Sequence, residues 1–306
     1  MAGLFRVATR HHGPAPHESY DEVAEASAAM VIGAYSSSFG AASRLLAPPV
    51  RAHVRNIYAL VRVADEIVDA PRPGQTALER AVQLDTLREE TLAAIDAGHS
   101  SNLVVHAFAR TAATCGIGAD LVTPFFDSMH RDLEPVEHDH ESFAAYVYGS
   151  AEVVGLMCLR AFLVDEPDAV ALQEACVDGA RRLGAGFQKV NFLRDLAEDD
   201  ALLGRSYFPG IVAARLTDEQ RDRLLDDVDA DLAAAAAVIG LLPLGSRVAV
   251  CAAHDLFAEL SARLRSTPAE ELRRRRVRVP GPVKARLVTG AYLRRGRPRA
   301  VERSAS

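Results

Sequence analysis

Two stretches of the chain carry oxygen-bearing side chains at helical spacing. In FQKVNFLRDLAEDD (187–200), Gln188, Asn191, Asp195 and Asp199 stand three, four and four residues apart. In NIYALVRVADEIVDA (56–70), Tyr58, Arg62, Asp65 and Asp69 stand four, three and four apart. Residues at those intervals share one face of an α-helix, so each stretch draws a polar stripe through an otherwise apolar helix. One stripe alone reads equally as a solvated face with Arg62 paired to Asp65 or Asp69. The repeated D-x-x-x-D spacing raises a second reading, in which four carboxylates face one another and need cations between them to offset their repulsion. The donors are all oxygens, with the amide of Asn191 and neither paired histidines nor thiolates, which favours Mg²⁺ or Mn²⁺ over zinc. Magnesium takes few protein carboxylates and completes its shell with water and phosphate oxygens. The expected partner is therefore a phosphate or diphosphate, with Arg62, Arg194 and Arg205 available for charge-assisted contacts.

An apolar run lies beside this chemistry in sequence. YVYGSAEVVGLMCLRAFL (146–163) includes Gly149, Ser150, Ala151 and Gly155, small residues that either leave room for a cavity or let two helices approach closely. A charged mouth above an apolar cavity fits a lipid diphosphate. Metal-assisted loss of diphosphate leaves an allylic carbocation and needs no protein nucleophile, in keeping with a sequence that shows no evident Ser-His-Asp or Cys-His arrangement.

The elements that must position these groups read as helices throughout. Apolar residues recur at three-and-four spacing and alternating β-branched runs are scarce, so the chain is expected to be all-α. Helices are expected over 18–46, 49–70, 76–97, 101–115, 118–133, 140–164, 167–201, 217–240, 244–266 and 281–293, broken by APP, PRPG, CGIG, DEP, GLLPLG and VPGP. No linker divides them. A single domain over 18–293 is expected, between a flexible N-terminal segment (1–17) and a flexible basic C-terminal tail (294–306).

With a net charge of -6 and a pI near 5.9, the chain does not read as a nucleic-acid binder. From Arg273 onward it is strongly basic, a feature suited to anionic lipid or to plain solvation. Four dispersed cysteines read as reduced thiols of a cytoplasmic protein. The start shows no signal-like apolar core and no run of about 18 uncharged apolar residues is evident, so a soluble or peripherally membrane-associated protein is expected. His138 and His140 in EHDHE read as a solvated loop, and 230–242 as a packed helix.

From about Ser36 to about Lys284 the chain resembles the squalene/phytoene synthase family of head-to-head prenyl transferases. SSSFGAASRLL (36–46), YALVRVADEIVD (58–69), DSMHRDLE (127–134), YVYGSAEVVGLM (146–157), FQKVNFLRDLAED (187–199), GRSYFP (204–209) and RRVRVPGPVK (275–284) carry the likeness. The resemblance implies an all-α isoprenoid-synthase bundle around a central cavity. It implies Mg²⁺ held by Asp65, Asp69, Asp195 and Asp199 with help from Asn191, and diphosphate or metal-bound water contacted by Ser38, Arg62, Gln188, Arg194, Arg205 and Tyr207. Tyr58 and Tyr146 would line the reacting region. The implied reaction joins two geranylgeranyl diphosphates through a cyclopropylcarbinyl diphosphate to phytoene, in carotenoid biosynthesis and without NADPH. The alternatives are a squalene or dehydrosqualene synthase acting on two farnesyl diphosphates, and a non-catalytic assembly protein of the same fold. Four departures stand out: SAEVVG replaces the usual V-A-G-x-V-G and puts Glu152 at a glycine position, one extra residue follows Asp199, STPAEELRRRR lacks the aromatic residues some relatives carry there, and no hydrophobic C-terminal anchor is seen.

Overall fold

The computed structural model describes residues 16–35, 38–133, 137–203 and 207–294, with 16, 38–39 and 197–203 as backbone only. Every regular element among the described residues is helical. In chain order they are α1 (Pro16–Tyr35), α2 (Ser38–Ser43), α3 (Pro48–Asp69), α4 (Ala77–Ala97), α5 (Leu103–Cys115), α6 (Ala119–Arg131), α7 (His140–Val147), a π-turn (Tyr148–Glu152) and α8 (Val153–Phe162). There follow α9 (Ala169–Leu203), a 3₁₀ turn (Ala213–Arg215), α10 (Asp218–Ile239), α11 (Leu244–Ser266), α12 (Ala269–Leu272) and α13 (Gly281–Leu293).

Local chemistry sets many of these boundaries. Thr76 and Thr217 form reciprocal capping boxes with Glu79 and Gln220, satisfying otherwise orphan amide groups at the starts of α4 and α10. Gly98 and Gly116 end α4 and α5 in the left-handed region, at φ 71° and 68°, which glycine enters without a Cβ penalty. The expected helix over 18–46 instead ends at Tyr35 and is followed by α2. The expected helix over 140–164 is continuous in path but contains the π-turn, and the short α12 and 3₁₀ turn were not expected.

Two large apolar clusters build the bundle. One gathers Ile57, Leu60 and Ala64 of α3 with Phe108 of α5, Phe125 and Phe126 of α6, and Val153 and Met157 of α8. The other gathers Val190, Leu193 and Leu196 of α9 with Leu225 and Leu232 of α10 and Leu256, Leu260 and Leu264 of α11. Helix α8 lies between them and runs against α9: Gly155 sits beside Ala180, and Ala151 beside Gly184. Added Cβ atoms at Gly155 and Gly184 would lie 2.4 and 2.5 Å from the carbonyl oxygens of Ala180 and Ala151, so the small residues do permit close packing. Residues 140–162 are long and apolar enough by composition to cross a membrane, although Glu152 and Arg160 interrupt the apolar run. In this fold Val153, Met157, Leu159 and Ala161 of that segment are buried among neighbouring helices, and a core helix passes the same test.

The basic segment is largely part of the bundle. Val279 is buried in the second cluster, α13 packs on α11, and Arg294 pairs with Asp255 of α11. Of the tail expected at 294–306, Arg294 is thus fastened to the bundle and 295–306 lie outside the described residues.

Candidate active site

An apolar cavity of about 260 Å³ runs between α3, α8, α9, α10 and α11. Val54 and Val61 of α3 line it, as do Ser150, Val154 and Phe162 along the π-turn and α8, and Cys176, Gly184 and Gln188 along α9. Phe162 packs against both the cluster that holds Val54 and the cluster that holds Cys176, so these residues mark one end. Since α8 runs against α9, the ordering makes α3 and α9 run the same way, with Val61, Ser150 and Gln188 toward the other end. Asp65 and Asp69 follow Val61, and Asn191, Asp195 and Asp199 follow Gln188. At about 1.5 Å of rise per residue, both stripes extend beyond the same mouth by roughly two to three helical turns. Cavity and close packing, alternatives in the sequence, therefore coexist: the small residues give backbone contact on one side of the α8–α9 seam and space on the other.

On α3, Asp65 is half-buried and Asp69 exposed. Arg62 pairs with Glu66, not with either aspartate of the stripe, and its guanidinium lies 4.4 Å from the centre of the Tyr35 ring. Burial works against the Arg62 charge, but Glu66, Asp65 and Tyr58 together raise its pKa above the ordinary value. On α9, Asp195 is gripped by two arginines. Arg194 Nε donates to Oδ1 at 2.8 Å, and Arg276 approaches the same oxygen at 2.8 Å from the segment before α13. Arg276 was not singled out from the sequence, where it is one of four consecutive arginines; its neighbours go elsewhere, Arg274 to Glu270, Arg275 to Glu271 and Arg273 to the carbonyl of Ala214.

Tyr146 is 2 % exposed, and its hydroxyl donates to both Asp132 oxygens at 2.8 and 2.9 Å. Its ring belongs to an aromatic layer with Phe192 and Tyr207, the latter pair 4.0 Å apart and nearly parallel. His138 joins that layer 5.2 Å from Tyr146, and burial lowers its pKa, so it is not the solvated residue expected. Glu152, at the unusual glycine position, turns to Arg181 at 2.7 Å. Lys189 and Arg182, on another face of α9, neutralise the fully buried Asp231 of α10. Burial pushes the thiols of Cys115 and Cys158 up to about 12, and all four cysteines are free.

Several sequence candidates cannot be placed by side chain. Ser38 and Asp199 are described as backbone only, and Arg205 lies outside the described residues. Among the described residues no three histidine, cysteine, aspartate or glutamate side chains gather as a ligand set. The chemistry of the site nonetheless fits a hard divalent cation at the mouth: the donors are oxygens, and the Oδ1 of Asn191 is buried without a hydrogen-bond partner. The Nε of Arg62 is likewise buried and unbonded, a donor left over for an anion.

Known proteins share this architecture. A dehydrosqualene synthase crystallised with a ligand superposes with a TM-score of 0.73 at 19% identity, over 92% of this chain and 99% of that one. A squalene synthase from Alicyclobacillus acidocaldarius superposes with a TM-score of 0.69 at 20% identity, over 82% and 96%. In sequence, the 15-cis-phytoene synthase of a Paracoccus species is 31% identical over 266 residues, 78% of this chain and 82% of that one. The phytoene synthase of Pseudescherichia vulneris is 29% identical over 252 residues, 76% and 79%. Residues 32–282 match the squalene/phytoene synthase family as a whole, and the chain belongs to that family of prenyltransferases.

Proposed function

We propose that the chain joins two geranylgeranyl diphosphates head to head, by way of a cyclopropylcarbinyl diphosphate, to give phytoene and diphosphate in carotenoid synthesis. One observation carries the reading: two acidic helix ends extend beyond the same end of an apolar cavity. Asp65, Asp69, Asn191, Asp195 and Asp199 would hold Mg²⁺, or Mn²⁺ in its place, which when bound draws off the charge of a departing diphosphate. Arg62, Arg194 and Arg276 bring positive charge to the same anion, and Gln188 stands where the polar mouth meets the apolar wall. Val61, Val154 and Leu183 keep water from the hydrocarbon, as a reactive cation requires. No nicotinamide cofactor enters this route. The Paracoccus and Pseudescherichia relatives, whose names state phytoene synthesis, support the C20 substrate.

A second reading, condensation of two farnesyl diphosphates, has support in a presqualene diphosphate synthase of Rhodopseudomonas palustris, 29% identical over 178 residues. Incubating the purified protein with Mg²⁺ and either C15 or C20 prenyl diphosphate, with and without NADPH, separates the two. A C40 hydrocarbon from the C20 substrate without NADPH is expected; a C30 product from the C15 substrate alone would transfer the assignment to the second reading. We also propose that the protein is cytoplasmic and touches membrane peripherally, since so apolar a product must leave into lipid. Co-sedimentation with anionic vesicles tests this, and binding unchanged on deleting 295–306 would take the terminal basic residues out of that role.

A further inference from the structure

Ser150 breaks the apolar character of the cavity wall. It lies in the π-turn, is 8 % exposed, and its hydroxyl has no hydrogen-bond partner among the described residues. A helical serine commonly donates to the carbonyl four residues earlier. For Ser150 that carbonyl belongs to Tyr146, and it already accepts a bond from Ser128 at 3.2 Å. The neighbouring Gly149 presses against the same serine, since a Cβ there would lie 2.1 Å from Ser128 Oγ. The other hydroxyl in the wall, Ser43, is satisfied by the carbonyl of Gly40 at 2.9 Å. A trapped water needs roughly three polar partners; besides Ser150 this end of the wall offers only the Gln188 amide, since Val61, Ala151, Val154 and Leu183 bring no polar side chain.

We propose that Ser150 is a further substrate-contacting residue, whose hydroxyl oxygen faces the positive charge that forms on the hydrocarbon as diphosphate leaves. The proposal rests on the prenyl diphosphate reading above. When the C–O bond breaks, its electron pair departs with the diphosphate and an allylic cation remains. Ser150 lines the cavity, and its neighbour Ala151 touches Gly184 one turn before Gln188, so the residue lies toward the mouth where that cation begins. A fixed dipole aimed at developing charge in a dry wall stabilises the transition state without reorganising. An unpaired buried hydroxyl also costs the resting protein stability, and such cost is characteristic of functional positions.

Stability and turnover should thus move in opposite directions on removing the hydroxyl. Wild type, Ser150→Ala and Ser150→Thr would be compared with Mg²⁺ and C15 and C20 prenyl diphosphates, recording kcat, KM, hydrocarbon products and Tm. Ser150→Ala is expected to hold or raise Tm, lower kcat about tenfold with KM little changed, and divert product to cations quenched early. Ser150→Thr is expected to restore kcat and the product pattern. An Ala variant with wild-type kcat and products overturns the proposal, as does a fall in Tm that tracks the lost turnover and is not rescued by threonine. A wild type inert toward both substrates, but folded, removes the underlying reading and the proposal with it.

Discussion

Tyr146 shows how one side chain serves packing and chemistry together. Its ring is stacked in a buried aromatic layer, while its hydroxyl reaches the Asp132 carboxylate. Tyr146→Phe keeps the ring and deletes a hydrogen bond to a charged, half-buried acceptor, which should cost about 1–2 kcal/mol. Urea unfolding at neutral pH measures it; an unchanged midpoint would mean that Asp132 is satisfied without the tyrosine. At this scale the sequence was informative about identity and silent about pairing. Asp65, Asp195, Gln188 and Asn191 could be picked out because helical spacing places them on one face. The partnership of Asp195 with Arg276, 81 residues away, depends on how the segment before α13 folds back, and no local periodicity encodes that. For the same reason the sequence offered Asp65 or Asp69 as alternative partners for Arg62, whereas Glu66, four residues on, takes the bond.

Helix against helix, the α8–α9 seam is the most exacting contact. Gly184→Ala would put a methyl group 2.5 Å from a backbone carbonyl that cannot swing aside. A destabilisation of about 1–3 kcal/mol is expected from such overpacking, read as a lower urea midpoint with an unchanged slope. A wild-type midpoint would mean that α8 and α9 can part freely. The seam was legible as small residues, but the π-turn within it was not, because one extra residue in a helical turn leaves the three-and-four pattern nearly intact.

Helix α1 is fastened differently. Asp21 accepts from His106 Nε2 at 2.7 Å and pairs with Arg110 at 2.7 Å, while Tyr20 donates to the carbonyl of Ser100. His106 Nδ1 accepts from the Ser100 amide at 3.3 Å, so the neutral ring already carries its proton on Nε2 and donates it to Asp21. The His106 bond, outweighing burial, holds the Asp21 pKa below its ordinary 3.8. A depressed carboxylate contributes stability above its unfolded pKa and loses it as pH falls through the folded one. Amide protection factors in α1, corrected for the intrinsic exchange rate, should therefore fall as the pH drops below about 4. Asp21→Asn should exchange faster at neutral pH and respond less to acid, and equal protection in both proteins would remove Asp21 from this role.

Across the whole molecule, composition and periodicity were enough for an all-helical fold, since a chain so poor in β-branched alternation has no other way to bury its apolar half. Three things escaped that reading. A segment apolar enough to cross a membrane proved to be a partly buried helix of the bundle, with Val153, Met157, Leu159 and Ala161 on its inner face. The arginine-rich run from Arg273 read as suited to anionic lipid or plain solvation, yet Arg276 reaches Asp195 and the nearby Val279 is buried in the bundle. The relative direction of α3 and α9, which puts both acidic stripes beyond one mouth, follows from packing around α8 and could only be supposed from the repeated spacing.

That common mouth is the central claim, and diphosphate release tests it most directly. Diphosphate set free from C20 prenyl diphosphate would be followed during a Mg²⁺ titration for wild type, Asp65→Asn and Asp195→Asn, with Tm recorded for each. The account predicts Mg²⁺-dependent release by wild type and a loss of about 10²-fold or more in both variants, each still melting cooperatively near the wild-type temperature. Near-full release by either folded variant would contradict it.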